Sequence, residues 1–424
     1  MDLKLQQKGR KMKNISLHWQ IIFCMILGTI SGFIFNNIGF DNSSIYSVIL
    51  LLGDIFIRLL KMVIVPLIFT SIIIGVSSIK DRSKIGRLGF KTFLYYISTS
   101  LIAILIGLFL ANTIEPGVGA STISNAGSFD TSKLNTSNSI LDILKRMIPI
   151  NPISALSSGD MLANIFFAIF FGIVLSFVES KYSKTILTLI DAIYHVIMRM
   201  TQIVIKCAPI GVFGLMTKAV ANSGLSIFKE LGMYALTIAC GLSIHLFIVL
   251  PLILLLVVKV NPLNHFRSMA SAMVTAFSTS SSSATLPVTM KCAKENVKAS
   301  NEVTSFVLPM GATINMDGTA LYECAGVLFI AQALGIDLNA SQQFIVVITA
   351  LLASIGAAGI PSAGLVMLFI VTNAVGLNSD SVALWVGSML AIDRPLDMFR
   401  TMVNITSDSV GVAVIAKSEG EKLY

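Results

Sequence analysis

Long apolar runs follow one another through most of this 424-residue chain, and no other feature constrains its fold so strongly. They lie near 17–40, 46–79, 92–114, 140–178, 183–220, 229–259, 304–335 and 381–416. A straight helix needs ~20 apolar residues to cross the hydrocarbon core, so the runs correspond to about eight transmembrane spans. Several exceed that length, which requires tilt or a break. Charged residues make up 12% of the chain against 55% hydrophobic ones, whereas a soluble domain carries about a quarter charged residues. The expected fold class is an all-α polytopic membrane protein.

The net charge of +8 does not indicate nucleic-acid binding, because the basic residues sit mostly in short loops between the runs. Lys4, Lys8, Arg10, Lys11 and Lys13 precede the first run, and Lys80, Arg82, Lys84, Arg87 and Lys91 follow the second. Lys291, Lys294 and Lys298 come later, and Lys417 and Lys422 follow the last run. The alternate loops are poor in cations: "DNSS" has none and 116–138 has only Lys133. The positive-inside rule then puts both termini in the cytoplasm. The opening "MDLKLQQKGRKMK" and its apolar sequel imitate a signal peptide. The run to Phe40 is long enough to span and lacks a small-x-small cleavage site, so it reads as the first span. The five cysteines form no CxxC pair, and His18, His195, His245 and His265 show no ligand spacing. No disulfide framework, zinc site or other cofactor is expected, and the histidines read as isolated core or interface residues.

Two further apolar stretches, 266–296 and 343–376, are interrupted in the middle by "STSSSSATLP" (Ser278 to Pro287) and "GAAGIPSAG" (Gly356 to Gly364). Each arm is too short to cross alone, so both read as re-entrant hairpins whose irregular tips are buried in protein or line a cavity. The loop charges make the first enter from inside and the second from outside. Each hairpin precedes a long span with polar residues at mid-length, 304–335 and 381–416. Such inverted repeats, with discontinuous helices near the midplane, characterise secondary transporters.

The last span carries "DMFRTMVNITSD", Asp397 to Asp408. At about 100° per residue, Asp397, Arg400, Thr401, Asn404 and Asp408 share one helical face. Each charge at mid-membrane costs ~2.5–3.5 kcal/mol on insertion scales. An internal Asp397–Arg400 pair at i,i+3 accounts for two of them and leaves Asn404 and Asp408 unexplained. Arg offers a planar fork for a carboxylate, Asp matches an ammonium, and Asn and Thr donate to a second carboxylate. The set suits an acidic amino acid. Pro395, just before the face, should kink or break the helix.

In "TINMDGTALYE", Thr313 to Glu323, the residues Asn315, Met316, Asp317 and Gly318 interrupt an apolar helix. Freed carbonyls with Asp317 make hard oxygen ligands suited to an alkali cation; a kinked helix with a solvated Asp is the plainer reading. Glu323, still inside the span, is a candidate proton carrier, or the partner of some basic residue. The serine run Ser280 to Ser283 can hold a carboxylate at a helix N-terminus; alone, it would pass for a linker. Asp54 and Arg58, at i,i+4 with Lys61 one turn on, read as a helix-surface pair.

These segments resemble the glutamate/aspartate transporter family, the dicarboxylate/amino acid:cation symporters, which includes archaeal aspartate transporters and animal excitatory amino acid transporters. "SSSSATLPVT", "NMDGTALYE", "SIGAAGIPSAGLVM" and "DMFRTMVN" each match a family signature in the family's order, as do "RLLKMVIVPLIF" and "CAPIGVFGLM". The resemblance covers nearly the whole chain. It implies a homotrimer working by an elevator mechanism. Residues 1–91 would form the N-terminal tail and scaffold spans one and two, 92–116 span three of the transport domain, and 117–228 an extracellular loop with scaffold spans four and five. Residues 229–424 would complete the transport domain: span six, the first hairpin, span seven, the second hairpin, span eight and a cytoplasmic tail.

Carried over position by position, the resemblance implies that Asp397 binds the substrate ammonium and that Arg400 and Thr319 bind its side-chain carboxylate. Asn404 and the Ser281–Ser282 tip, with Thr401, complete the inner site, which Ile360 and Gly364 close from outside. It also implies Na+ sites. One has Asp408 with carbonyls of Gly311, Asn315 and Asn404. A second uses Thr313, Ser354, Ile355 and Ala357, and a third uses Asp317, Asn315, Tyr96, Thr99 and Ser100. Glu323 resembles the proton carrier of the animal members. The chain departs from the family where members place a second arginine: it has Ser280 and Met398 at those positions, while Arg394 lies one turn before Asp397.

The expected function is secondary active symport of L-glutamate, L-aspartate or both with Na+, with Glu323 as the candidate for H+ coupling. The setting would be the plasma membrane, with short loops leaning towards a bacterial inner membrane, and no enzyme activity is expected. A neutral amino acid (Ser/Thr/Ala) symporter, a C4-dicarboxylate symporter and an ion channel are the alternatives. Arg400 argues against the first of these, and Asp397 against the second.

Overall fold

The computed structural model describes residues 17–38, 44–77, 84–120, 145, 148–158, 161–356, 363–377 and 380–424. All regular structure among the described residues is helical. The first three runs form α1 (Leu17–Ile38), α2 (Ser44–Ser77) and α3 (Lys84–Ile114). Phe23, Ile30, Phe90 and Phe109 on these helices are exposed, as lipid-facing side chains would be. Close approach replaces bulk where helices meet. A methyl group at Gly28 or Gly32 of α1 would come within 2.7 Å of the backbone oxygen of Phe213 or Thr217, the small-residue packing typical of membrane helices.

Two of the predicted runs each hold more than one described helix. The 140–178 run contains α4 (Pro152–Ser158) and α5 (Met161–Phe177). The 183–220 run divides at Cys207 into α6 (Ser180–Lys206) and α7 (Ala208–Ser223), because Pro209 sits in the first turn of α7, where its missing N–H costs nothing. Span six is α8 (Ile227–Val258). It widens into π-turns at His245–Val249 and Leu254–Val258 and ends on Lys259 in a left-handed conformation (φ 62°). Among the described residues, four helices are individually long and apolar enough to cross a membrane: Trp19–Asn37, Arg87–Ile114, Ser180–Val204 and Ile227–Val258.

Both interrupted stretches are helical hairpins. The first pairs α9 (Pro262–Thr279) with α10 (Ser282–Glu295). Its turn is two residues: Ser280, left-handed at φ 51°, ends α9, and the Ser281 hydroxyl caps α10 by accepting from Ala284 N. The second pairs α13 (Ala340–Gly356) with α14 (Ala363–Ala374). Its tip, including Ala357 and Ile360, lies outside the described residues. Between the hairpins, the 304–335 run breaks at Asn315–Met316 into α11 (Asn301–Ile314) and α12 (Asp317–Ala333). In α12, every residue except Gln332 is buried, so its polar side chains are enclosed by protein.

The last span, α15 (Asp380–Ser418), is continuous through Pro395. The expected break there does not occur. Proline removes only one hydrogen bond, and membrane helices tolerate that loss when neighbouring helices hold both sides; α15 lies against α7, α9, α11 and α12. Asp54 also departs from expectation. Its carboxylate lies 3.8 Å from Lys218 Nζ on α7, beside a cavity that Arg58 lines.

Candidate functional site

The break in the α11–α12 span and the polar face of α15 meet. Asn315, in a non-helical conformation between the two helices (φ −97°, ψ 88°), donates through Nδ2 to Asp408 Oδ1 (2.8 Å) and Ser407 Oγ (3.0 Å). Gly318 N–H has no partner within its own helix, as is usual in a first turn, and donates to Asn404 Oδ1 at 2.8 Å. Asn404 Nδ2 donates to Thr319 Oγ1 at 3.3 Å. Gly318 permits this meeting, since a methyl group there would lie 3.0 Å from Arg400 O and 3.1 Å from its Cα.

Two oxygen-rich clusters flank the break. In one, Asp408 lies beside Gly311, Asn315 and the Tyr96 hydroxyl, which itself donates to Val307 O (2.8 Å). Asp408 Oδ2 is buried with no hydrogen-bond partner among the described residues. In the other, Ser100 Oγ donates to Asp317 Oδ1 at 2.6 Å, and Thr99 Oγ1 lies 3.4 Å from Asn315 Oδ1. Carboxylate, amide, hydroxyl and carbonyl oxygens are the donor set of a hard cation. Of the second predicted ligand group, Thr313 is exposed on α11, while Ser354 and Ile355 are buried on α13, which packs on α11.

Around the predicted substrate ligands, Arg400 is 1% exposed. Its Nη2 donates to Asp393 Oδ1 (3.0 Å) and Asp397 Oδ1 (2.9 Å), and its guanidinium carbon sits 3.8 Å over the Tyr322 ring. Nε and Nη1 have no partner among the described residues. Gly364, at the start of α14, closes on the same group: a methyl there would lie 3.3 Å from Thr319 Cγ2 and 3.4 Å from Arg400 Cζ. The Thr401 hydroxyl donates to Asp397 O within the helix. Ser281 and Ser282 are buried at the hairpin turn, whose arm α10 packs on α15. Glu323 is fully buried on α12, and neither carboxylate oxygen has a hydrogen-bond partner among the described residues.

Three participants escaped sequence reasoning. Asp393 holds Arg400 as closely as Asp397 does; its i,i+7 spacing from Arg400 was the available signal. Tyr322 lies under the guanidinium. His245 is not an isolated core histidine, because its Nε2–H donates to Asp317 Oδ2 at 2.9 Å with both side chains fully buried. Its spacing carried no signal.

The fold and site define a class: a multi-pass helical membrane transporter, with paired helical hairpins around a broken span. The chain matches the sodium:dicarboxylate symporter family over residues 17–418, and it belongs to that family. It is a transporter and not an enzyme. It is 37% identical over 420 residues to mouse excitatory amino acid transporter 3, covering 88% of this chain and 79% of the relative. It is 34% identical over 421 residues to the proton/glutamate-aspartate symporter of Escherichia coli K12, covering 96% and 94%. It is 33% identical over 415 residues to the proton/sodium-glutamate symport protein of Geobacillus stearothermophilus, covering 97% and 96%.

Proposed function

We propose that the protein imports L-glutamate, L-aspartate or both together with Na+. The observation that carries this reading is the buried Arg400. It is a cation with unused donors, stacked on Tyr322 and bonded to Asp393 and Asp397. A substrate with one ammonium and two carboxylates fits that arrangement: its ammonium takes Asp397, and its side-chain acid group takes donors of Arg400 with Thr319. Asn404 and the Ser281–Ser282 turn receive the main-chain carboxylate, and Gly364 and Ile360 close the site. Charge-assisted bonds of this kind are the strong ones, and low local dielectric strengthens them. The relatives' names, with their glutamate, aspartate, sodium and protons, support the same reading.

Na+ enters as co-transported cargo. Its ligands are Asp408 with Gly311, Asn315 and Asn404; Asp317 with Asn315, Thr99, Ser100 and Tyr96; and Thr313 with Ser354, Ile355 and Ala357. Glu323 is the proton carrier. The scaffold comprises spans one, two, four and five, and the mobile body comprises span three with everything from span six onward. That body slides in an elevator motion within a homotrimer, in a plasma membrane with both termini cytoplasmic; a bacterial inner membrane is the favoured setting. Packing of α1 on α7 and of α3 on α12 supports this division.

Uptake of labelled glutamate and aspartate into proteoliposomes under a Na+ gradient tests the proposal. Concentrative uptake of either is expected, and Arg400→Ala should abolish it while leaving uptake of neutral amino acids. Unchanged glutamate affinity in Arg400→Ala would overturn the assignment. A neutral substrate is the weaker reading, since it leaves the Arg400 donors without a partner, a cost of ~1–3 kcal/mol or more.

A further inference from the structure

Asp397 stands between two arginines. Its Oδ1 accepts from Arg400 Nη2 at 2.9 Å, and its Oδ2 lies 3.6 Å from Arg394 Nη1. The two differ in setting: the Arg400 side chain is 1% exposed, whereas that of Arg394 is 24% exposed at the edge of the cluster. Met398 lies on the next turn and Ser280 at the hairpin turn, so neither of those positions offers a cation. With Asp393, the cluster holds two carboxylates and two guanidiniums, formally neutral when no substrate is bound.

We infer that Arg394 is a positioning residue that sets the affinity for acidic substrates by holding Asp397. Asp397 and Arg400 are bonded to each other, and each is the group the other's ligand must win. An incoming acid group draws Arg400 away from Asp397. Asp397 then keeps its contact with Arg394, which fixes its outer oxygen while Oδ1 turns to the substrate ammonium. Without Arg394, two consequences push the same way. Asp397 loses the cation that competes with Arg400 for it, so the Asp397–Arg400 pair competes harder with the substrate. The cluster also becomes net negative by one charge, against a substrate that is itself net negative.

The inference rests on the reading that Asp397 takes the ammonium group. Arg394→Gln should raise the KM for glutamate and aspartate by about tenfold, the scale of one partly exposed charge a few ångströms from an acidic ligand. Maximal uptake should stay unchanged, as should the Na+ half-saturation measured at saturating substrate, because Arg394 holds no cation ligand. Arg394→Lys should restore KM to within about threefold, since it returns the charge without the fork. An Arg394→Gln variant with wild-type KM overturns the inference, as does an equal defect in Arg394→Gln and Arg394→Lys, which would mark a packing role. Asp397→Asn separates the two levels. If it transports normally, the underlying site reading fails; if it is inactive while Arg394→Gln is normal, only the role of Arg394 fails.

Discussion

A single methyl group at Gly311 should weaken the Na+ dependence of transport. The glycine sits on α11 against the first cation cluster, and an added Cβ would lie 2.6 Å from the Tyr96 hydroxyl oxygen and 2.7 Å from Asp408 Cγ, with a carboxylate oxygen nearer still. Ordinary contact needs about 3.5 Å, so the carboxylate or the helix must retreat by roughly 0.8 Å. Neither neighbour yields freely: Tyr96 is bonded to Val307 O, and Asp408 Oδ1 to Asn315 Nδ2. Metal ligation tolerates displacements of only ~0.2 Å. Overpacking of this kind costs ~1–3 kcal/mol, and every ~1.4 kcal/mol is tenfold. Gly311→Ala should therefore raise the Na+ half-saturation of uptake by about 10- to 100-fold. Gly232→Ala is the control, because a methyl group there meets nothing within 4 Å. Thermal unfolding in detergent reports whether each variant is folded. A folded Gly311→Ala protein with wild-type Na+ dependence would refute the placement of a cation at Asp408.

Three further outcomes are expected. His245→Ala removes the donor to Asp317 Oδ2; partners that orient a metal ligand are worth about 10–100-fold in affinity, so Na+ half-saturation should rise, with partial recovery in His245→Gln and no change if His245 only packs. Glu323→Gln should flatten the pH dependence of uptake, and an unaltered profile would remove Glu323 as the proton carrier. At the end of the last span, a hydrogen bond from Lys91, aided by Arg87, holds the Glu419 carboxyl below its ordinary value. A depressed folded-state value stabilises above the unfolded one and is lost as pH falls through the folded one. Protection of the 415–424 amides from hydrogen exchange should fall as pH drops through the depressed Glu419 value, and Glu419→Gln should show the lowered protection already at pH 7. Slow exchange in that variant would contradict it.

Much of this site is legible before any coordinates. The i,i+3,i+4 spacing of Asp397, Arg400, Thr401 and Asn404 makes one face because helical period is a local property, and α15 keeps that face intact. The hairpin turn at Ser280–Ser281 is likewise local, announced by small residues between apolar arms. Pro395 shows where local reasoning overreaches. Its preference to break a helix is real, but α15 continues through it, packed on its neighbours. Cys207 shows the opposite error, where an apolar run hides a helix boundary.

By itself, the sequence determined the membrane class, the two hairpins, the broken span and the polar face of the last span, all of which follow from hydropathy, periodicity and residue type. Only the tertiary structure decided which groups share charge: His245 with Asp317 across 72 positions, Asn315 with Asp408 across 93, and Tyr322 beneath Arg400. Buried polar groups must find partners wherever packing brings them. Residues far apart in the chain leave no spacing in the sequence that could announce such a pairing.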